Sequence, residues 1–276
     1  MPGYQRPQAP LGRSPAPRGP AVSGPSAQGP AARGPGRPPM GRGNGARVEQ
    51  VLGPSREQAP AEGPGGEQAE AIPEIYAAKS EVWKMGYEDG LSQGRAGLAR
   101  IDADPATGGA ITKASTATGV DADNLKAMAI IESTGDRNVG TNAYGYSGLM
   151  QMGADAAADV GMSFAGMKGA KNVDNNALGG AKYWQLNSQR LDEDIPRDPL
   201  HLYLAHQQGA GGTNALMKNV RTAPDTKANG AQRNNLPAHV IGAISGKPTQ
   251  KDFYDYWAGK MQAIQDEIAA AKVRAP

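Results

Sequence analysis

Ile130-Ile131-Glu132-Ser133-Thr134-Gly135-Asp136 closes a segment, Asp121 to Ser133, in which Leu125, Met128 and Ala129 recur at helical spacing. Glu132 falls seven residues after Leu125 and four after Met128, on the same stripe. The spacing predicts a helix over 122–133 whose buried face carries one ionisable side chain. Burying a carboxylate is costly unless it is paired or used. Desolvation by the stripe and the negative end of the helix dipole both favour its protonated form. A carboxylic acid that keeps its proton near neutral pH is what a general acid requires. Gly135 supplies a left-handed residue just past the helix end. A Glu paired with a nearby Lys or Arg is the other reading, and the segment alone leaves both open.

Outward from this helix the chain reads as mainly α. Helices are expected near 110–118, 153–160, 174–190, 198–208, 212–220, 234–244 and 250–273. The last carries Phe253, Tyr254, Trp257, Met261, Ile264 and Ile268 at near-helical spacing, a stripe expected to pack on the domain. Residues 138–147 and 224–234 read as loops, and no alternating β-branched run is long enough to force a sheet. Short strands near a cleft remain compatible with the pattern. Upstream, residues 74–100 read as a helix with Ile75, Ala78, Val82 and Met85 on one face, followed by Gly86, Gly90 and Gly94. An interior glycine costs about 1 kcal/mol relative to alanine, so this half is either frayed or packed against a partner helix. A frayed connector is the expectation. Asp102-Ala103-Asp104-Pro105, with Gly108-Gly109, reads as the boundary of the next domain.

Composition sets the chain's beginning apart. Fourteen of the 22 prolines lie before residue 65, and residues 1–48 hold seven arginines with no lysine and no acidic residue. Such a segment lacks the apolar surface to offset chain entropy and is expected to be disordered. The domains are therefore read as a Pro/Gly/Arg-rich arm over 1–72, a helical connector over 73–104, a core over 105–223, and a C-terminal helical extension over 224–276 packed on that core. The net charge of +2 is unremarkable, and the absence of cysteine excludes disulfides and thiolate metal sites. The opening residues Met1-Pro2-Gly3-Tyr4-Gln5-Arg6 have no apolar h-region, and no run of 18 apolar residues occurs. A soluble chain without a transmembrane segment is expected.

Two further motifs bear on function. Gly148-Leu149-Met150-Gln151-Met152 follows Glu132 by sixteen residues, and Tyr203-Leu204-Ala205-His206-Gln207-Gln208-Gly209 comes later. The order Glu-Ser, then Gly-Leu-Met-Gln, then a Tyr/Ala-rich helix ending near Gly resembles the soluble lytic transglycosylase domain, a relative of goose-type lysozyme. The resemblance covers roughly Thr112 to Met217. It implies a lysozyme-like helical domain whose single catalytic carboxylate is Glu132. It also implies that the Gly-Leu-Met-Gln turn walls a sugar cleft, with the family's Ala-Tyr-Asn-x-Gly segment opposite the Glu. Here that segment reads Ala205-His206-Gln207-Gln208-Gly209. His206 thus stands at the Tyr position and Gln207 at the Asn position, and Tyr203 is the candidate to replace the missing hydroxyl. The Met-Pro that often follows the turn in the family is Gly153-Ala154 here.

The implied activity is cleavage of the β-1,4 bond between N-acetylmuramic acid and N-acetylglucosamine in peptidoglycan glycan strands. Glu132 would protonate the leaving oxygen, and its carboxylate would then help the muramyl 6-hydroxyl close an anhydro ring. Muramidase-type hydrolysis is the second choice. Ser133 is expected to orient the carboxylate, and Tyr146, Gln151, Tyr203, His206 and Gln207 to contact substrate, with Tyr144 a further stacking candidate. Where two carboxylates flank a glycosidic bond, the second would come from Asp136, Asp155 or Asp174. Asp136 reads instead as a turn residue.

Other chemistries find little support. Only His201, His206 and His239 are available, with no His-Glu-x-x-His helix, so neither a metal nor another cofactor is expected. There is no Gly-x-Ser-x-Gly elbow. A peptidoglycan enzyme without an export signal points to a bacteriophage virion, acting in the host periplasm or cell wall. The Arg-rich arm would then meet other virion proteins or DNA. The alternative is a non-catalytic structural or nucleic-acid-binding virion protein that retains the lysozyme-like fold.

Overall fold

Asp104 marks a helix boundary rather than a linker. The structure, a computed structural model, describes residues 79–274, and the arm expected at 1–72 lies outside them. Asp104 ends α1 (Glu81–Ala103) with its own N–H on the Ile101 carbonyl, and its carboxylate caps α2 (Pro105–Thr118). It accepts from Ala106 N at 3.2 Å and Thr107 Oγ1 at 2.7 Å. With Pro105 pre-set for the first helical position, α2 starts five residues earlier than expected and runs through Gly108-Gly109. Then follow α3 (Ala122–Ser133), α4 (Ala154–Asp159), two single 3-10 turns at Ala165–Met167 and Ala170–Asn172, and α5 (Val173–Arg190). Next come α6 (Pro199–Gln208), α7 (Ala210–Thr222), α8 (Gly230–Asn234), α9 (Ala238–Ala243) and α10 (Gln250–Arg274).

Two expectations are corrected by local chemistry. The helix expected over 234–244 is split, because Pro237 lacks the N–H needed to continue one. Part of the loop expected over 224–234 is α8, started by a capping box in which Asn229 and Gln232 bond each other's backbones. Among the described residues no strand forms, and the β-like pairing is confined to isolated bridges at Ser147–Met152 and Lys227–Thr249.

The core is built around α3. Leu125 and every residue from Ala127 to Ser133 are buried, so the helix is covered on all sides by α1, α2, α5 and α10. Methionines fill the space toward α5: Met128, Met150, Met152 and Met167 are fully buried. Gly180 of α5 admits them, since a Cβ there would lie 2.7 Å from Met150 Cγ and 2.9 Å from Met128 Cε. The flexible thioethers suit such an irregular gap.

The segment expected to be a frayed connector is instead packed along α10. A Cβ on Gly86 or Gly259 would overlap the Tyr256 or Trp83 carbonyl oxygen outright, and one on Gly90 would come within 2.6 Å of Lys260 O. The glycines every fourth residue therefore bring two backbones together. Gly97 continues the row onto α3, where a Cβ would sit 2.7 Å from Ile130 Cγ1. Polar pairs flank the seam, including Tyr87 OH to Asp266 Oδ2 and Tyr256 OH to Asp89 Oδ2, each 2.8 Å.

Gly90→Ala should therefore reverse the usual helix-propensity gain and destabilise by about 1–3 kcal/mol, the cost of overpacking. Gly109→Ala, at a helical position with nothing within 4 Å of the added Cβ, should stabilise by about 0.5–1 kcal/mol. Urea midpoints of the two variants check the contrast in sign.

Asp198 gives a pH signature. It caps α6, accepting from His201 N at 3.0 Å and facing His201 Nδ1 at 2.7 Å. Burial resists its ionisation, but the hydrogen bonds from the His201 side chain and backbone outweigh that and lower its pKa. A carboxyl lowered on folding contributes stability that is present above its unfolded value of about 3.9 and is lost as pH falls through the folded one. The stability gap between wild type and Asp198→Ala should accordingly shrink from about pH 6 to about pH 3. Denaturant titrations at the two pH values measure it.

Candidate active site

Glu132 occupies the last turn of α3, with its side chain fully excluded from solvent. The helix end around it is closed by three devices. Thr134 and Gly135 adopt left-handed backbone, with φ of 54° and 70°, and return their N–H groups to Ile130 and Ala129. Gln93 of α1 donates to the Ile130 and Ile131 carbonyls at 2.8 and 3.2 Å. Ser133 Oγ donates to Ala129 O at 2.9 Å. This last bond corrects an expectation: the Ser133 hydroxyl is spent on its own helix and does not donate to the Glu132 carboxylate.

The last turn of α6 forms the facing wall. His206 Nε2 lies 3.6 Å from Glu132 Oε1, and the imidazole is itself buried. Gln207 is buried beside it, and Gly209 turns the chain into α7 with φ of 73°. Tyr203 sits one helical turn behind this wall, and its hydroxyl accepts from Gln207 Nε2 at 3.5 Å. It is fully buried, with its ring 5.3 Å from that of Trp257. Tyr183 of α5 brings another aromatic hydroxyl to the groove, its ring meeting the His206 ring edge-on at 5.6 Å. Burial, together with the nearby Asp159 carboxylate, pushes the Tyr183 phenol above its ordinary range and keeps its proton in place. Sequence reading missed Tyr183. Its one signal was an aromatic among the small residues of the 174–190 helix.

The third wall is the turn Ser147–Met152, where the N–H of each end residue bonds the other's carbonyl at 3.0 and 3.1 Å. Asn176, reaching from α5, holds this turn from behind. Its Oδ1 accepts from Met150 N at 2.7 Å, while its Nδ2 donates to Ser147 O and Met167 O at 2.9 and 3.1 Å. Gly148, at φ 78°, leaves room for the amide, since a Cβ would lie 2.5 Å from Asn176 Nδ2. Gln151 is held left-handed at φ 43°, with Nε2 on Gly148 O and Oε1 accepting from Asn142 Nδ2. Gly153 makes space for the Tyr146 ring, where a Cβ would come 2.9 Å from Cε1.

These walls enclose a groove of about 360 Å³, lined by Tyr144, Tyr146, Gln151, Asp155, Phe164, Tyr183, His206 and Gln207 among others. Glu132 adjoins it through His206. Of the other carboxylates considered, Asp155 lies on the groove lining. Asp136 accepts from Asn138 N and Nδ2 and pairs with Arg100, and Asp174 pairs with Lys113. A larger hollow of about 560 Å³ lies between α1, α10 and the start of α6, lined in part by Trp83, Tyr87, Leu200 and Met261. Its two carboxylates are already engaged, Asp198 with His201 and Asp266 with Tyr87. The smaller groove is therefore the better placed for chemistry.

Among the described residues no three His, Asp or Glu side chains are grouped to hold a metal ion, and no helix is long and apolar enough to cross a membrane. Residues 109–229, from α2 to the start of α8, match the family model described as the Transglycosylase SLT domain. The family's fold is lysozyme-like, in keeping with the all-helical architecture around α3. No curated protein matches the chain.

Asn176→Ala should loosen the turn by leaving a buried N–H and two buried carbonyls without this partner, at a cost of about 2–3 kcal/mol. Asn176→Asp should do no better, because a carboxylate oxygen would then face the Ser147 and Met167 carbonyls. Chemical denaturation of both variants tests the orientation of the amide.

Proposed function

We propose that the chain, whose residues 109–229 match the transglycosylase SLT domain model, cleaves the β-1,4 bond between N-acetylmuramic acid and N-acetylglucosamine in peptidoglycan, leaving a 1,6-anhydro product. One observation supports this above the others: a solvent-excluded carboxylate, Glu132, lies within the matched span and adjoins a polar, aromatic-lined groove through His206. Such burial suits a group that must carry a proton to the scissile oxygen. In this reading Glu132 is the acid that protonates the leaving oxygen. Its carboxylate then accepts the proton of the muramyl 6-hydroxyl as that oxygen closes on the anomeric carbon.

The groove supplies groups suited to holding the glycan. Tyr146 and Tyr144 offer rings for stacking against sugar faces, and Gln207 offers an amide. Tyr183 offers a phenol that stays a donor. Gln151 is already tied into its own turn, so the fixed backbone around it contributes shape. Asp155 at the lining would be the base if water, rather than the 6-hydroxyl, attacked.

We propose further that the enzyme opens the wall for a bacteriophage virion. The acid-free, Arg-rich composition of residues 1–48 supports this role, since it suits association with DNA or an anionic virion surface.

Glu132→Gln should lower cleavage of purified sacculi by about 10²–10⁴-fold, the usual contribution of general acid catalysis, with the fold retained. Mass spectrometry of the products should show anhydromuropeptides. Reducing ends would indicate hydrolysis, and an inactive wild-type protein would leave a structural virion role as the better reading.

A further inference from the structure

We infer that His206 is a positioning residue that shares a proton with Glu132, so that the two buried side chains work as one acid–base couple. The inference rests on the glycan-cleaving reading of the groove. Nε2 and Oε1 are 3.6 Å apart, with the imidazole 4% and the carboxylate 0% exposed. That separation exceeds a hydrogen bond. Charges withdrawn from water nonetheless interact over such a distance far more strongly than exposed ones.

Several groups surround the couple. Tyr183 faces the imidazole from α5 and remains a neutral phenol, while Gln207 is its neutral neighbour on α6. Asp155 of α4, Tyr144 and Tyr146 are further titratable groups on the lining, and the Tyr203 hydroxyl lies behind it on Gln207. His206 also lines the groove, so a ligand there meets the imidazole beside the acid.

The proton balance follows from this geometry. With one proton on the couple, Glu132 gives it to the glycosidic oxygen as the bond to the anomeric carbon breaks and its electron pair passes to that oxygen. The carboxylate left behind faces the imidazole. When the attacking hydroxyl bonds to the anomeric carbon, its proton returns to the couple. When a second proton charges His206, the Glu132 carboxylate becomes a weaker base, so the return of the attacking hydroxyl's proton is disfavoured. Activity should therefore fall on the acidic side as His206 becomes charged.

The test compares wild type with His206→Gln and His206→Tyr on purified glycan strands over a range of pH. Glutamine keeps a polar side chain, and tyrosine keeps an aromatic hydroxyl, but neither carries a titrating imidazole. Both variants should flatten the acidic limb of kcat, with KM changed by less than about threefold, a ground-state contact effect well under one kcal/mol. Profiles parallel to wild type, or a change confined to KM, would overturn the inference while leaving Glu132-dependent cleavage intact. A second readout does not need turnover. The His206 imidazole, followed by NMR, should titrate at lower pH in Glu132→Gln than in wild type, because the facing carboxylate no longer favours the imidazolium. An unmoved titration would show the two groups to be independent.

Discussion

Keeping a carboxylate dry at the end of an apolar helix is the constraint on which the rest of this structure turns. An uncompensated buried charge costs several kcal/mol, so the helix that carries Glu132 must be held from every side. Gln93 engages its last carbonyls, Gly97 lets α1 lie against Ile130, and methionines from the Ser147–Met152 region fill the face toward α5. The polar walls are fixed independently, by Asn176 behind the turn and by the end of α6. Little of the site rests on long surface side chains whose ordering would cost entropy.

Much of the helical framework was legible in the sequence because its signals were local. The 122–133 helix and its left-handed terminator were readable from the apolar stripe and Gly135. The start of α2 was misread because Asp104-Pro105 serves equally as a linker signature and as a cap with proline at the first helical position. Gly86, Gly90 and Gly94 were misread for a different reason. Local propensity counts a helical glycine as a cost, whereas its value here depends on a helix about 170 residues further along the chain. The split between α8 and α9 was available from Pro237.

The site divides in the same way. The motif order pointed to Glu132, Gln151, His206 and Gln207 around one cleft; the structure brings His206 to Glu132 and sets Gln151, His206 and Gln207 on the groove lining. Ser133 and Tyr203 were assigned by type, and each hydroxyl had more than one place to go. Ser133 found the carbonyl one turn back, and the buried Tyr203 hydroxyl met the Gln207 amide. Asn176 and Tyr183 act across space from α5, with no motif to announce them. Tertiary placement alone gives them their roles.

The seam between α1 and α10 also dictates an order of events during synthesis. Ser80 with Asp255, and Tyr87 with Asp266, are joined across 175 and 179 residues. Contacts of such long range form late, since most of the chain must be present before they reward its ordering. A ribosome-bound chain that has already made α3 through α9 still lacks the helix that completes α1's packing. The buried acid thus acquires its full cover only as α10 emerges, and a nascent chain cut short of residue 250 is a truncated core rather than a smaller domain.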